Sequence, residues 1–166
     1  MTKVVLVPGV LALLPEYAGI EDPVAELRAA ALDAVAWLGR EVTVLADAQG
    51  ARVAAYLLEA TDRGGDESSY LVVGNGSAMR TEKAPGHLDE RAEAFDAALG
   101  ASLRAGRPAV DVDLARELWA SVDAMVELGE LDDDLGAAQV DYDDAPYGVQ
   151  YWVMRWGGVN RWTSEG

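Results

Sequence analysis

Three short apolar runs, each bounded by turn signals and separated by helical patterns, organise the first half of the chain. Residues 3–7 are mostly β-branched and stop at Pro8-Gly9, the pattern of a buried strand running into a loop. Residues 41–46 and 70–73 repeat that pattern. Between the first two, Asp22-Pro23 supplies an N-cap and a proline at the first helical position, with Glu26 early in the helix. Val24, Leu27, Ala31, Ala34, Val35 and Leu38 then recur at helical spacing until Gly39 ends the helix. Residues 51–60 read as a second helix and 62–68 as a polar turn, while 10–14 are apolar and fit either element.

In the second half, the loop Gly74-Asn75-Gly76-Ser77 opens an irregular stretch, Asp89 caps a helix reaching about residue 105, and a further helix covers about 112–128. A hairpin closes the chain, with strands over 138–142 and 149–156 and a type I turn built on Pro146 and Gly148. This order predicts an α/β domain over 1–166, three-layer α/β/α, with a mostly parallel mixed sheet and an antiparallel C-terminal hairpin.

A chain of 166 residues buries roughly two-thirds of its unfolded surface and needs no disulfide or metal staple. Its 13 Lys and Arg against 29 Asp and Glu leave a net charge of −16, which works against nucleic acid and anionic membrane as partners. Cysteine is absent, which removes thiolate metal sites and a cysteine nucleophile. His87 is the one histidine, so a site needing two or three imidazoles is beyond one chain. Pro8 and Gly9 interrupt the apolar N-terminus, which reads as neither leader nor membrane span; a cytoplasmic location is the expectation.

Several groups have chemistry to offer. Gly74, Asn75, Gly76 and Ser77 follow the third strand, where open α/β sheets bind ligands, and Arg80 and Lys83 add positive charge for an anion; the alternative is an ordinary tight turn. Ser77, His87 and an aspartate such as Asp144 are the ingredients of a hydrolytic triad, although Ser77 lies outside a Gly-x-Ser-x-Gly elbow. Residues 111–144 hold twelve acidic side chains against Arg116 alone. Of these, Asp132, Asp133 and Asp134 and the group Asp141, Asp143 and Asp144 have oxygen ligands for a hard cation but lack calcium-loop spacing, so a solvated acidic face is the expectation. Tyr147, Tyr151, Trp152, Trp156 and Trp162 crowd the C-terminal end, with aromatics on both faces of the last strand: a strand covered on both sides, or a homodimer surface.

Two segments carry a family resemblance: Val73-Gly74-Asn75-Gly76-Ser77-Ala78-Met79-Arg80-Thr81-Glu82-Lys83-Ala84-Pro85-Gly86-His87-Leu88-Asp89-Glu90-Arg91-Ala92, and Tyr142-Asp143-Asp144-Ala145-Pro146-Tyr147-Gly148-Val149. They resemble actinobacterial proteins grouped with the catalytic B subunit of class III extradiol ring-cleavage dioxygenases, the LigB-like family. The resemblance implies a three-layer α/β/α fold. In active members it also implies a non-haem Fe(II) held by two His and a Glu.

This sequence departs from that pattern where the ligands belong. Val7-Pro8-Gly9-Val10 stands in place of a Pro-His-Pro element, and Met79-Arg80 falls where a Ser-His pair would be. The chain is also shorter than such subunits, so a region covering substrate is expected to be missing. The expectation is a pseudo-enzyme without cofactor or metal, binding a small anionic ligand or a protein partner through Gly74, Asn75, Gly76, Ser77, Arg80, Lys83, Asp143, Asp144 and Tyr147. The alternative is a divergent dioxygenase with an all-carboxylate or inter-subunit site, or a hydrolase using Ser77 or an aspartate.

Overall fold

A computed structural model describes residues 2–14, 24–132 and 134–157. Strand β1 (Thr2–Val7) lies at the centre of a five-stranded sheet of order β2-β3-β1-β5-β4, with β2 (Val42–Leu45), β3 (Ser68–Val73), β4 (Gln139–Asp144) and β5 (Tyr151–Trp156). β1 and β2 both run parallel to β3, and β5 runs antiparallel to β1 and to β4. The period-two alternation of strand side chains sorts β1 onto two faces, and both are buried. Val5 and Val7 pack with Leu71, Val73, Tyr151 and Val153 beneath α1 (Ala25–Ala36) and α2 (Ala48–Glu59). Val4 and Leu6 pack with Val72, Trp152, Met154 and Trp156 beneath α3 (Arg91–Arg104), α4 (Val112–Glu117) and α5 (Asp123–Leu131). This is the three-layer α/β/α arrangement expected.

Local chemistry explains the element ends. Asp47 caps α2 by accepting the Gly50 amide at 2.6 Å, which starts that helix three residues earlier than expected. Asp89 accepts the Arg91 amide at 2.9 Å at the start of α3, and the Arg91 guanidinium helps hold its carboxyl down to about 2. Residues 10–14 resolve into a short 3₁₀ turn at Leu11–Leu13. The Asp22-Pro23 start of the first helix lies outside the described residues, as do Asp133 and Trp162.

The single helix expected over 112–128 is two helices. Trp119 takes φ +60°, its amide donates to the Arg116 carbonyl at 3.3 Å, and the Ala120 amide donates to the Ala115 carbonyl at 2.9 Å. That double bond pattern ends α4 in a Schellman motif with tryptophan where glycine usually sits. The freed residues 120–122 let Ser121 pair with Asn75 as an isolated bridge. Hydrophobic periodicity continues through the break, which is why it is silent in the pattern.

Trp156 is 1% exposed and its indole N–H donates to the Leu103 carbonyl at 2.9 Å; Trp152 is equally covered. The aromatics on the last strand are therefore core on both faces, and Trp156 is withdrawn from any association surface. Among the described residues no helix is long and apolar enough to cross a membrane.

Candidate functional site

The connection from β1 leads to the α1 layer and that from β3 to the α3 layer, so the carboxyl ends of these neighbouring strands form a topological switch point. The loop from Gly74 to Arg80 starts there. Most of its amides, however, already have protein partners. Gly74 donates to the Val7 carbonyl, Asn75 to Ser121, Gly76 to Gln150, Ala78 to Leu118 and Arg80 to Gly148, at 2.9–3.0 Å. A nest of free amides for an anion is not formed, because the loop uses them to join β1, β5 and the α4–α5 break.

The two segments singled out in the sequence nevertheless meet. Besides those bonds, the Gln150 amide donates to the Ser77 carbonyl at 3.0 Å, and Arg80 Nη1 donates to Gln150 Oε1 at 2.8 Å. Gln150 Nε2 in turn donates to Asp143 Oδ1 at 2.7 Å, while Asp143 Oδ2 pairs with Arg104. Gly76 has no room for a side chain: a Cβ would lie 2.6 Å from Asp96 Oδ1 and 2.7 Å from Gln150 Cβ.

Asp96 on α3 is the centre of this network and was not among the expected residues. It is 2% exposed. Its Oδ1 accepts the Ser77 amide at 2.8 Å and its Oδ2 the Ser77 hydroxyl at 2.7 Å, with Arg80 Nη1 at 3.4 Å from Oδ2. Burial pushes the carboxyl up, against the opposing pull of the Ser77 donors and the Arg80 charge. A signal existed: Ala92, Phe95, Asp96, Leu99 and Leu103 share one helical stripe, and a carboxylate inside an apolar stripe must meet partners.

Arg80 is a quarter exposed, and Nη1 alone of its guanidinium nitrogens has a partner among the described residues. Nε and Nη2, the side-on edge, make no hydrogen bond among the described residues. In Arg91 and Arg155 that same edge is filled, by Asp89 and by Asp141 respectively. Lys83 is exposed nearby in sequence.

The remaining candidates are dispersed. His87 is exposed at φ +63°, its Nδ1 3.2 Å from the Glu82 carbonyl, whereas the buried Ser77 hydroxyl is committed to Asp96. Asp144 Oδ1 accepts the Ala145 amide at 2.8 Å. Ser77, His87 and Asp144 thus have separate partners. Tyr147 is 48% exposed at the hairpin turn, where Gly148 takes φ +75°. Desolvation, and after it the nearby Asp144 carboxylate, pushes the Tyr142 phenol up; burial does the same to Tyr151. Asp141, at a bulge in β4, forms its pair with Arg155 at 2.8 Å, and the acidic side chains of β4 are therefore divided among different uses.

Among the described residues no three His, Asp or Glu side chains converge as a metal site would require. Arg80 does not fit the Fe(II) site that the resemblance would imply: its guanidinium has no lone pair to donate and carries charge that repels a cation. Neither a comparison with protein-family models nor one with curated proteins finds a match to this sequence.

Proposed function

We propose that this chain is a LigB-like domain that has lost its metal chemistry and binds a small anionic ligand, a carboxylate or phosphate, at the carboxyl edge of its sheet. The observation that carries the reading is the state of Arg80. Asp96 and Gln150 hold its Nη1, so the guanidinium is positioned in advance, while the Nε–Nη2 edge keeps two parallel donors of the geometry that grips carboxylate and phosphate oxygens. Positioning before binding lowers the ordering cost that a free surface arginine would bear. With most of the loop amides already used, recognition falls to side chains: Arg80 as the fork and Lys83 as a second charge.

The test is calorimetric titration of the full chain with inorganic phosphate and a panel of mono- and dicarboxylates. Saturable binding should weaken at least about tenfold in Arg80→Ala, and Arg80→Lys should fail to restore it, because an ammonium lacks the fork. No binding across the panel, or equal affinity in all three proteins, would sink the assignment.

A further inference from the structure

With Arg80 as an anion fork, the site also contains its own counter-anion. Asp96 Oδ2 lies 3.4 Å from Arg80 Nη1 and Asp96 is 2% exposed, so water screens the pair weakly. Gln150 Oε1 holds the same Nη1 at 2.8 Å, and the Gln150 side chain is fixed in turn by Asp143. Arg80 therefore keeps its place whatever the charge on Asp96, while the field it presents to an anion depends on that charge. Ionised, Asp96 offsets the guanidinium. Protonated, it leaves the full positive charge to the Nε–Nη2 edge.

The partners of Asp96 suit both of its forms. The Ser77 amide stays on Oδ1 at 2.8 Å. The Ser77 hydroxyl, which donates to Oδ2 at 2.7 Å, is also an acceptor, so a proton on Oδ2 can be donated back along the same contact. The loop after β3 presents Arg80 as the charged group facing Asp96, and β5 presents the uncharged Gln150, behind which Asp143 is paired with Arg104. One turn away on α3, Glu93 is charged and exposed. Burial already pushes the Asp96 carboxyl up, and the Arg80 charge is among the forces that oppose it. An anion on the guanidinium cancels that opposition. Resting on the anion-site reading, we infer that an anion seated on Arg80 is taken up together with a proton from solvent, held on Asp96 Oδ2, so that the site tightens as pH falls.

The experiment titrates the full chain with sulfate, an anion that stays ionised through the range where carboxyls titrate, by calorimetry in two buffers of different ionisation heat. Binding should draw protons from the buffer, and affinity should rise about tenfold from above to below the Asp96 midpoint. Linkage requires the reciprocal effect: the Asp96 carboxyl carbon, followed by NMR, should titrate about one pH unit higher in the sulfate complex. It should also titrate higher in ligand-free Arg80→Ala, which has lost the opposing charge. Asp96→Asn should bind sulfate with the low-pH affinity at every pH. Sulfate bound without proton uptake, or an Asp96 midpoint that neither sulfate nor Arg80→Ala moves, would overturn the coupling and leave the anion site standing. No binding by sulfate, phosphate or any carboxylate would overturn the site and the coupling with it.

Discussion

The Ser77 residue meets both oxygens of Asp96, with the amide at 2.8 Å from Oδ1 and the hydroxyl at 2.7 Å from Oδ2. The contact ties the loop after β3 to α3, and Arg80 joins it from the same loop. A carboxylate this buried is tolerable because charge-assisted donors replace water at both oxygens. What looked like a ligand-binding loop is therefore filled by the protein's own anion, and Arg80 is steered by it.

Asp96 should leave a signature in the pH dependence of stability. Its folded pKa is raised above the unfolded value, so between the two the folded chain holds a proton that the unfolded chain has released. The Asp96 contribution is fully present below the unfolded value and is lost as pH rises through the folded one. Urea unfolding of wild type and Asp96→Asn over a pH series should show wild type losing ground across that window, with a constant difference on either side. A difference independent of pH would contradict the shift.

Loss of the Ser77 hydroxyl removes a donor to a buried charged group. Ser77→Ala should cost about 1.5–3 kcal/mol, read as a lower urea midpoint at unchanged slope. Gly76→Ala attacks the same junction sterically, since its Cβ would collide with Asp96 Oδ1 and Gln150 Cβ. A cost of roughly 1–3 kcal/mol is expected there.

The architecture was legible because β1, β3 and β5 are apolar on both faces and lie between helices, a pattern that only a covered sheet satisfies. A site at residues 74–83 and 143–147 was expected; the bonds that join these parts of the chain run from Gly76, Ser77 and Arg80 to Gly148 and Gln150, and the organising residue was not foreseen. Asp96 sits in helical rather than loop sequence, and a lone carboxylate in an apolar stripe carries no spacing motif. Gln150 was missed for a similar reason: its role depends on lying at the start of β5, where its side chain can bridge Arg80 and Asp143. The α4–α5 break was invisible because tryptophan, not glycine, adopts the left-handed conformation. Trp37 gave no hint of its flanking cations, Lys3 at 4.9 Å and Arg155 at 5.4 Å from the ring, since three separate elements supply them.

Trp119→Gly isolates the strain at that break. The Schellman bonds to Arg116 and Ala115 use backbone atoms alone and survive the change, while glycine removes the Cβ clash at φ +60°. Because the ring is largely exposed, little packing is lost. The variant should be more stable than wild type by roughly 0.5–1 kcal/mol, seen as a higher urea midpoint. A lower midpoint would mean the indole makes stabilising contacts that outweigh the strain.

Trp156 separates core from association at the C-terminal strand. Its ring is enclosed by the α3 layer and its N–H satisfies the Leu103 carbonyl, so Trp156→Ala should cost about 3–5 kcal/mol through the cavity it leaves. Trp156→Phe keeps an aromatic ring and removes one donor from that carbonyl, which still accepts the Gly106 amide at 3.0 Å, so about 0.5–1.5 kcal/mol is the expected loss. Sedimentation of the folded Trp156→Phe protein should match wild type, whatever the oligomeric state, because a side chain this covered contacts no second molecule. A change in sedimentation without a change in stability would show that the ring reaches an interface after all.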